Sequence, residues 1–204
     1  MIFNFTSKHQ FTTRLKLGHK TIDQTNETKL LGLVLRDDLS WKSNTEFITI
    51  SAHTRMLILR NLFPFDVPTQ DLIDIYILYI RSVVDHSAVV WHSSLTKGEQ
   101  KDLERVQKVA LKIILKDSYT SYEDALKVTG LNTLTARRTK LCLNFSKKCI
   151  KNDKTSHMFP ENDCRVTLRN PEPFFVTSAT TERLAKSAIP YMQRLLNTNY
   201  KKQE

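Results

Sequence analysis

Hydrophobic and polar positions alternate with different periods along the chain, and each change of period marks an element. The longest apolar pattern runs from Thr69 to Leu115. In its first half, Leu72, Ile73, Ile75 through Ile80, Val83 and Val84 leave almost no polar face. That pattern predicts a central helix covered by its neighbours. In the second half, Lys101, Arg105, Lys108 and Lys112 follow at steps of four, three and four. At about 100° per residue they share a sector of roughly 60°. Leu103, Val106, Ala110, Ile113 and Ile114 fall opposite. The expectation is a buried helix leading to an amphipathic helix with a basic outer stripe, begun at Ser94 or Thr96.

Before this stretch, residues 1–41 read as short strands. Ile2, Phe3 and Phe5 form an apolar run, Phe11 to Leu17 alternates in part, and Gly18-His19-Lys20 suits a turn. Lys29 to Leu35 reads as one buried strand, with Gly32 permitting a close backbone approach. So small a ribbon needs a partner surface. Ser43 with Glu46 three residues on fits a capping box, opening a helix to about Leu62. Thr69 is the expected N-cap of the central helix. After it, a short helix spans Ser121 to Val128 and stops near Gly130. Another runs from Thr133 to about Lys151 and carries Arg137, Arg138, Lys140, Lys147 and Lys148. Pro160, Pro171 and Pro173 exclude regular helix from the following segment. Thr181 to Asn197 closes the pattern as a helix. The fold class is therefore mainly α: a ribbon (1–41), a helical domain (42–151), and a loop-rich extension with a terminal helix (152–204).

Composition adds charge to this picture. The chain of 204 residues carries a formal net charge of +10. From Lys97 to Lys154 there are 14 basic against 7 acidic residues, whereas up to Thr96 there are 10 against 9. The excess thus coincides with the striped helix and its successors. It suits a polyanion, though it also serves as an ordinary solvated surface. Three cysteines, no apolar leader, and Asp71, Asp74, Arg81 and Asp85 interrupting the most apolar stretch predict an intracellular protein, cytoplasmic or nuclear, with no membrane partner.

Candidate chemistry is thin. Asp37-Asp38 follows an apolar strand, but no third carboxylate or preceding aromatic accompanies it, and a strand-ending turn explains the pair better. Cys142, Cys149, His157 and Cys164 lack the close pair of a structural zinc site. His86 and His92 flank Val89-Val90-Trp91, within reach of polar partners. No catalytic residue, metal, cofactor or small-molecule substrate is expected. Trp41, Trp91, Tyr119 and Tyr122 lie near basic residues, where rings stack on bases or fill a core.

Taken in order, the segments ETKLLGLVLRDDLSW, RMLILRNL, IYILYIRSVVD, VVWHSSLT, DLERVQKVALKIIL, LNTLTARRTKLCLNFSKK and SAIPYMQRLLN resemble the C-terminal part of the reverse transcriptase of a non-LTR (LINE, jockey-like) retrotransposon. The resemblance covers about Met1 to Asn197. It implies an RNA-directed DNA polymerase fragment: the last palm strands up to about Leu35, then a thumb-like helical bundle and a helical C-terminal region. The catalytic aromatic-x-Asp-Asp hairpin of the family lies upstream of these segments, so the chain alone is expected to be inactive. Ser51 stands where the family often has a lysine, and the zinc-knuckle cysteines of some related elements are unmatched. The expected activity is sequence-independent binding to the backbone of RNA or an RNA–DNA duplex through Lys101, Arg105, Lys108, Lys112, Arg137, Arg138, Lys147 and Lys148, with the palm and fingers as a protein partner. Two alternatives stand beside it. Thr28 to about Pro68 is similar to the N-terminal segment of an AlkB-family tRNA-modifying dioxygenase/methyltransferase, and the chain also fits a mobile-element remnant without a selected role.

Overall fold

The computed structural model describes Met1, residues 15–162 and residues 172–201. The apolar run at Ile2–Phe5 and the start of the alternation at Phe11 lie outside these residues, as does Cys164. Among the described residues the protein is mainly helical, with two small antiparallel ribbons.

The first ribbon pairs β1 (Lys16–Leu17) with β2 (Lys20–Thr21) across Gly18-His19, with Gly18 at φ +61°. The second pairs β3 (Glu27–Leu30) with β4 (Leu33–Arg36). The single strand expected over Lys29–Leu35 is instead a hairpin. Leu31 and Gly32 both take positive φ, 49° and 85°, which reverses the chain in two residues. Gly32 does permit a close approach: a Cβ there would meet His86 Nε2 at 2.8 Å. The His86 ring bonds the Leu31 carbonyl through Nε2 at 3.1 Å, pinning the hairpin tip to the helices.

At the end of β4, Arg36 donates to both Asp38 carboxylate oxygens (3.1 and 3.2 Å), and Asp38 Oδ1 accepts the Ser40 amide at 2.9 Å. These bonds hold the Asp38 carboxyl down at about 2. The acidic pair is thus a turn device.

Helix α1 (Lys42–Arg55) begins one residue before the expected capping box, and Ser43 lies inside it. Asn44 explains the shift. Its side chain is buried and its Oδ1 accepts the Val34 amide at 3.1 Å, so the first turn docks on β4. Helix α2 (Leu57–Asn61) follows. Thr69 is the first residue of α3 (Thr69–Ile75), with Pro68 at the N-cap. From α3 the chain passes through a π-helical stretch, Tyr76–Ile80, into α4 (Arg81–Asp85). Arg55 Nη1 donates to the Tyr79 carbonyl at 2.7 Å within this irregular stretch. The helix is not covered all round: Leu78 is 75% and Tyr79 47% exposed. Its apolar residues point in more directions than the surrounding elements cover.

The hub is α6 (Lys97–Leu115), which packs against α1, α2 and α3, and against α7 (Tyr122–Thr129) and α8 (Leu134–Ile150). A complete Thr96–Glu99 capping box starts it. Ser121 caps α7 and Gly130 ends it at φ +66°, while Thr133 caps α8. Between α4 and α6, Ser87 takes positive φ and leads into α5 (Ala88–Trp91). Trp91 is fully buried, its Nε1 donating to the His86 carbonyl at 3.0 Å.

After the short α9 (Glu182–Ala185), a second apolar cluster joins α8 to the terminal helix α10 (Ala188–Tyr200). It comprises Cys142, Cys149, Phe159, Met192 and Leu196. Pro190 is the third residue of α10, where its missing N–H costs nothing. Gln193 bonds the Met158 carbonyl and the Thr177 amide, and Asn197 bonds both backbone groups of Phe174. These two amides order the irregular segment against α10. No helix of the described residues is long and apolar enough to cross a membrane.

Candidate nucleic-acid interface

The basic stripe rests on the buried face of α6. Leu103, Val106, Gln107, Ala110, Leu111, Ile114 and Leu115 are buried, which turns Lys101, Arg105, Lys108 and Lys112 outward. Gln107 locks the rotation of the helix. It accepts from Tyr76 Oη at 2.7 Å and donates to Tyr122 Oη and the Asn132 carbonyl, both at 2.9 Å. Glu104 adds a second lock, accepting from the Tyr122 hydroxyl and from the Leu134 and Thr135 amides at 3.1 and 3.3 Å. A carboxylate at the start of α8 also suits the helix dipole. Burial, then the hydrogen bond to Glu104, raises the Tyr122 phenol pKa, so it remains a donor.

Two aromatic residues on and before α7 organise the stripe. Lys108 Nζ lies 4.9 Å from the centre of the Tyr122 ring and Lys112 Nζ 5.4 Å from that of Tyr119. Lys116, just past the helix end, lies 3.9 Å from the centre of the Phe63 ring. Each contact holds a cation in place without neutralising it. Among the described residues, none of Lys101, Arg105, Lys108 and Lys112 is in an ion pair. Lys116 extends the stripe and was legible in the same step of four, although the φ of +49° that ends the helix there was not.

Of the other four expected contacts, two are exposed and two are held by the protein itself. Arg138 is fully buried, 0% exposed, and is no surface residue. It sits in line with buried Leu134 and Cys142, at steps of four on α8, and that spacing is the sequence signal for its burial. Its Nε donates to His92 Nδ1 at 3.3 Å, and its guanidinium lies 5.6 Å from the Trp91 ring centre. Burial lowers its pKa. Burial and then the Arg138 charge push His92 down to about 4. The second His92 nitrogen, Nε2, lies 3.2 Å from Thr139 Oγ1.

Arg137 is half-buried, donating to Asp85 Oδ2 at 2.5 Å, and Arg81 Nε lies 3.9 Å from the same oxygen. The Arg137–Asp85 pair ties α8 to α4, and Arg81 approaches the same carboxylate from within α4. Lys147 and Lys148 are exposed and line a cleft with Asp85, Ser87 and Val89, beside α4 and α5.

Cys142 and Cys149 are free and buried, the Cys142 thiol pushed by burial up to about 11. Neither is poised as a nucleophile. Among the described residues no group of three or more His, Cys, Asp or Glu side chains is placed to hold a metal ion. No family model, curated protein or solved structure matches the chain.

Proposed function

We propose that the chain is a thumb-like helical module of a retrotransposon-type polymerase and that it binds the phosphate backbone of RNA or an RNA–DNA duplex without reading sequence. The observation that carries this reading is the α6 stripe: four exposed cations on one face, none in an ion pair among the described residues, two of them held over tyrosine rings. A rod of charges at intervals of three and four residues, set on a helix whose rotation is locked from behind, matches a regular polyanion better than a small ligand. Backbone contacts position a duplex and leave its sequence unread, as a module that must accept any template requires.

The contact set is Lys101, Arg105, Lys108 and Lys112, with Lys116 at its end. Lys147 and Lys148 line the cleft beside α4 and α5, Arg137 pairs with Asp85, and Arg138 is buried. The residual-ribbon reading is supported by the hairpin β3–β4, which packs on α1. The test is a variant in which Lys101, Arg105, Lys108 and Lys112 are all Gln. It keeps the native circular dichroism spectrum and loses binding to a fluorescein-labelled RNA–DNA duplex. A Lys147→Gln/Lys148→Gln variant keeps it. The reverse pattern would place the interface on α8 and refute the α6 assignment.

A further inference from the structure

Beside the stripe, between α1, α2 and α6, runs an open groove of about 540 Å³, a size suited to a small organic ligand. Thr45 and Thr49 line it, and their hydroxyls are buried without a protein partner. Thr45 is 3% exposed. A helical threonine ordinarily bonds the carbonyl one turn back. Thr54, Thr129, Thr139 and Thr198 do so in this protein, at 2.7 to 3.0 Å. Thr45 and Thr49 depart from that habit where this groove opens between α1 and α6. A buried hydroxyl with nothing to bond is costly and points to a partner supplied from outside.

The rest of the lining describes that partner. Arg60 and Arg105 are exposed and, among the described residues, make no ion pair. Glu46 and Asp102 supply acceptor carboxylates along the same groove. His53 Nδ1 donates a hydrogen bond to the Thr49 carbonyl at 2.7 Å. In the neutral ring Nε2 is then an acceptor. Ile50 and Val109 add apolar surface. A matching ligand carries an anion for the two guanidiniums, hydrogen-bond donors for the carboxylates, and apolar surface for Ile50 and Val109.

We propose that this groove is a subsite for a single nucleotide. Arg60 and Arg105 take its phosphate, Ile50 and Val109 flank its base, and the exocyclic amine of the base donates to Asp102 or Glu46. The Thr45 and Thr49 hydroxyls bond the sugar or base edge. This deepens the backbone-binding reading and rests on it for the biological ligand: an unpaired end of a strand lying on the stripe reaches the groove through Arg105, which belongs to both.

The experiment titrates the full chain with adenosine 5′-monophosphate by calorimetry, with inorganic phosphate and adenosine as separate probes. Saturable binding of the nucleotide, tighter than that of either part, is expected. Thr49→Val keeps the shape and removes the unpaired hydroxyl, so the thermal midpoint stays level or rises while nucleotide affinity falls about five-fold, one hydrogen bond's worth. Arg60→Gln, at an exposed position, lowers it about ten-fold. Lys108→Gln/Lys112→Gln leaves nucleotide affinity unchanged and weakens only duplex binding, which separates failure of the groove from failure of the stripe. The proposal is overturned if the nucleotide does not saturate at millimolar concentration, if phosphate alone binds as tightly, or if both groove variants bind as the parent does.

Discussion

Acid should destabilise this protein through one buried imidazole. His92 sits between the Arg138 guanidinium, whose Nε donates to its Nδ1, and Thr139, with the Tyr191 ring edge-on at 6.0 Å between centres. Protonation would remove the acceptor for Arg138 and set two cations side by side in the interior. Burial first, and then Arg138, lower the pKa from 6.5 to about 4.

The sign follows from proton binding. Between those two values the unfolded chain takes up the proton more readily than the folded one. Stability contributed by neutral His92 is therefore complete above about pH 6.5, and falls until about pH 4. At 1.36 kcal/mol per unit, the loss by about pH 4.5 is on the order of 2 to 3 kcal/mol. Urea unfolding followed by Trp41 and Trp91 fluorescence measures it at about pH 7 and about pH 4.5. Asp38, Asp124 and Glu182 also have lowered pKa values. A His92→Gln variant, which keeps an acceptor for Arg138 but does not titrate, subtracts their contribution. The parent should lose about 2 to 3 kcal/mol more than the variant. Equal losses in the two proteins would refute the reasoning and relocate acid sensitivity to the carboxylates.

Two further substitutions probe the supports of the stripe and the hairpin. Gln107→Leu strands the buried Tyr76 hydroxyl, while Tyr122 keeps Glu104 as its acceptor, and should cost about 1 to 3 kcal/mol in urea unfolding, whereas a loss below about 1 kcal/mol would show that the network does not fix α6. Gly32→Ala meets both a φ of +85° and the His86 ring, costing about 1 to 3 kcal/mol. In a double-mutant cycle with His86→Ala the steric part should disappear, and strict additivity would contradict the contact.

The elements that pattern alone made legible are those with local causes. Ser121 and Thr133 cap the helices they were expected to open, Thr96 rather than Ser94 caps α6, and Gly130 stops α7. The failures have long-range causes. Asn44 docks α1 on β4 and so displaces the capping box at Ser43, a contact between residues ten apart that helix patterning does not register. Leu31 in a left-handed turn hid the hairpin, because a leucine is a poor turn signal and only Gly32 marked the place. Arg138 was misplaced by its charge: a guanidinium reads as surface, while its line with Leu134 and Cys142 reads as core, and here the line prevailed. The α1–α6 groove was invisible for a related reason. Thr45 and Thr49 look like ordinary helical threonines until their missing partners are seen in three dimensions.

Salt dependence is the sharpest probe of the α6 stripe as a backbone-binding surface. The chain, folded by circular dichroism, is titrated against a labelled RNA–DNA duplex over a range of potassium chloride concentrations. Four phosphate contacts from Lys101, Arg105, Lys108 and Lys112 predict a log–log slope of about −3 to −4, and the Lys108→Gln/Lys112→Gln variant should reduce its magnitude by about 2. A folded chain that leaves the duplex unbound at low salt, or whose slope those substitutions do not change, would contradict the claim and leave the stripe a solvated helix face.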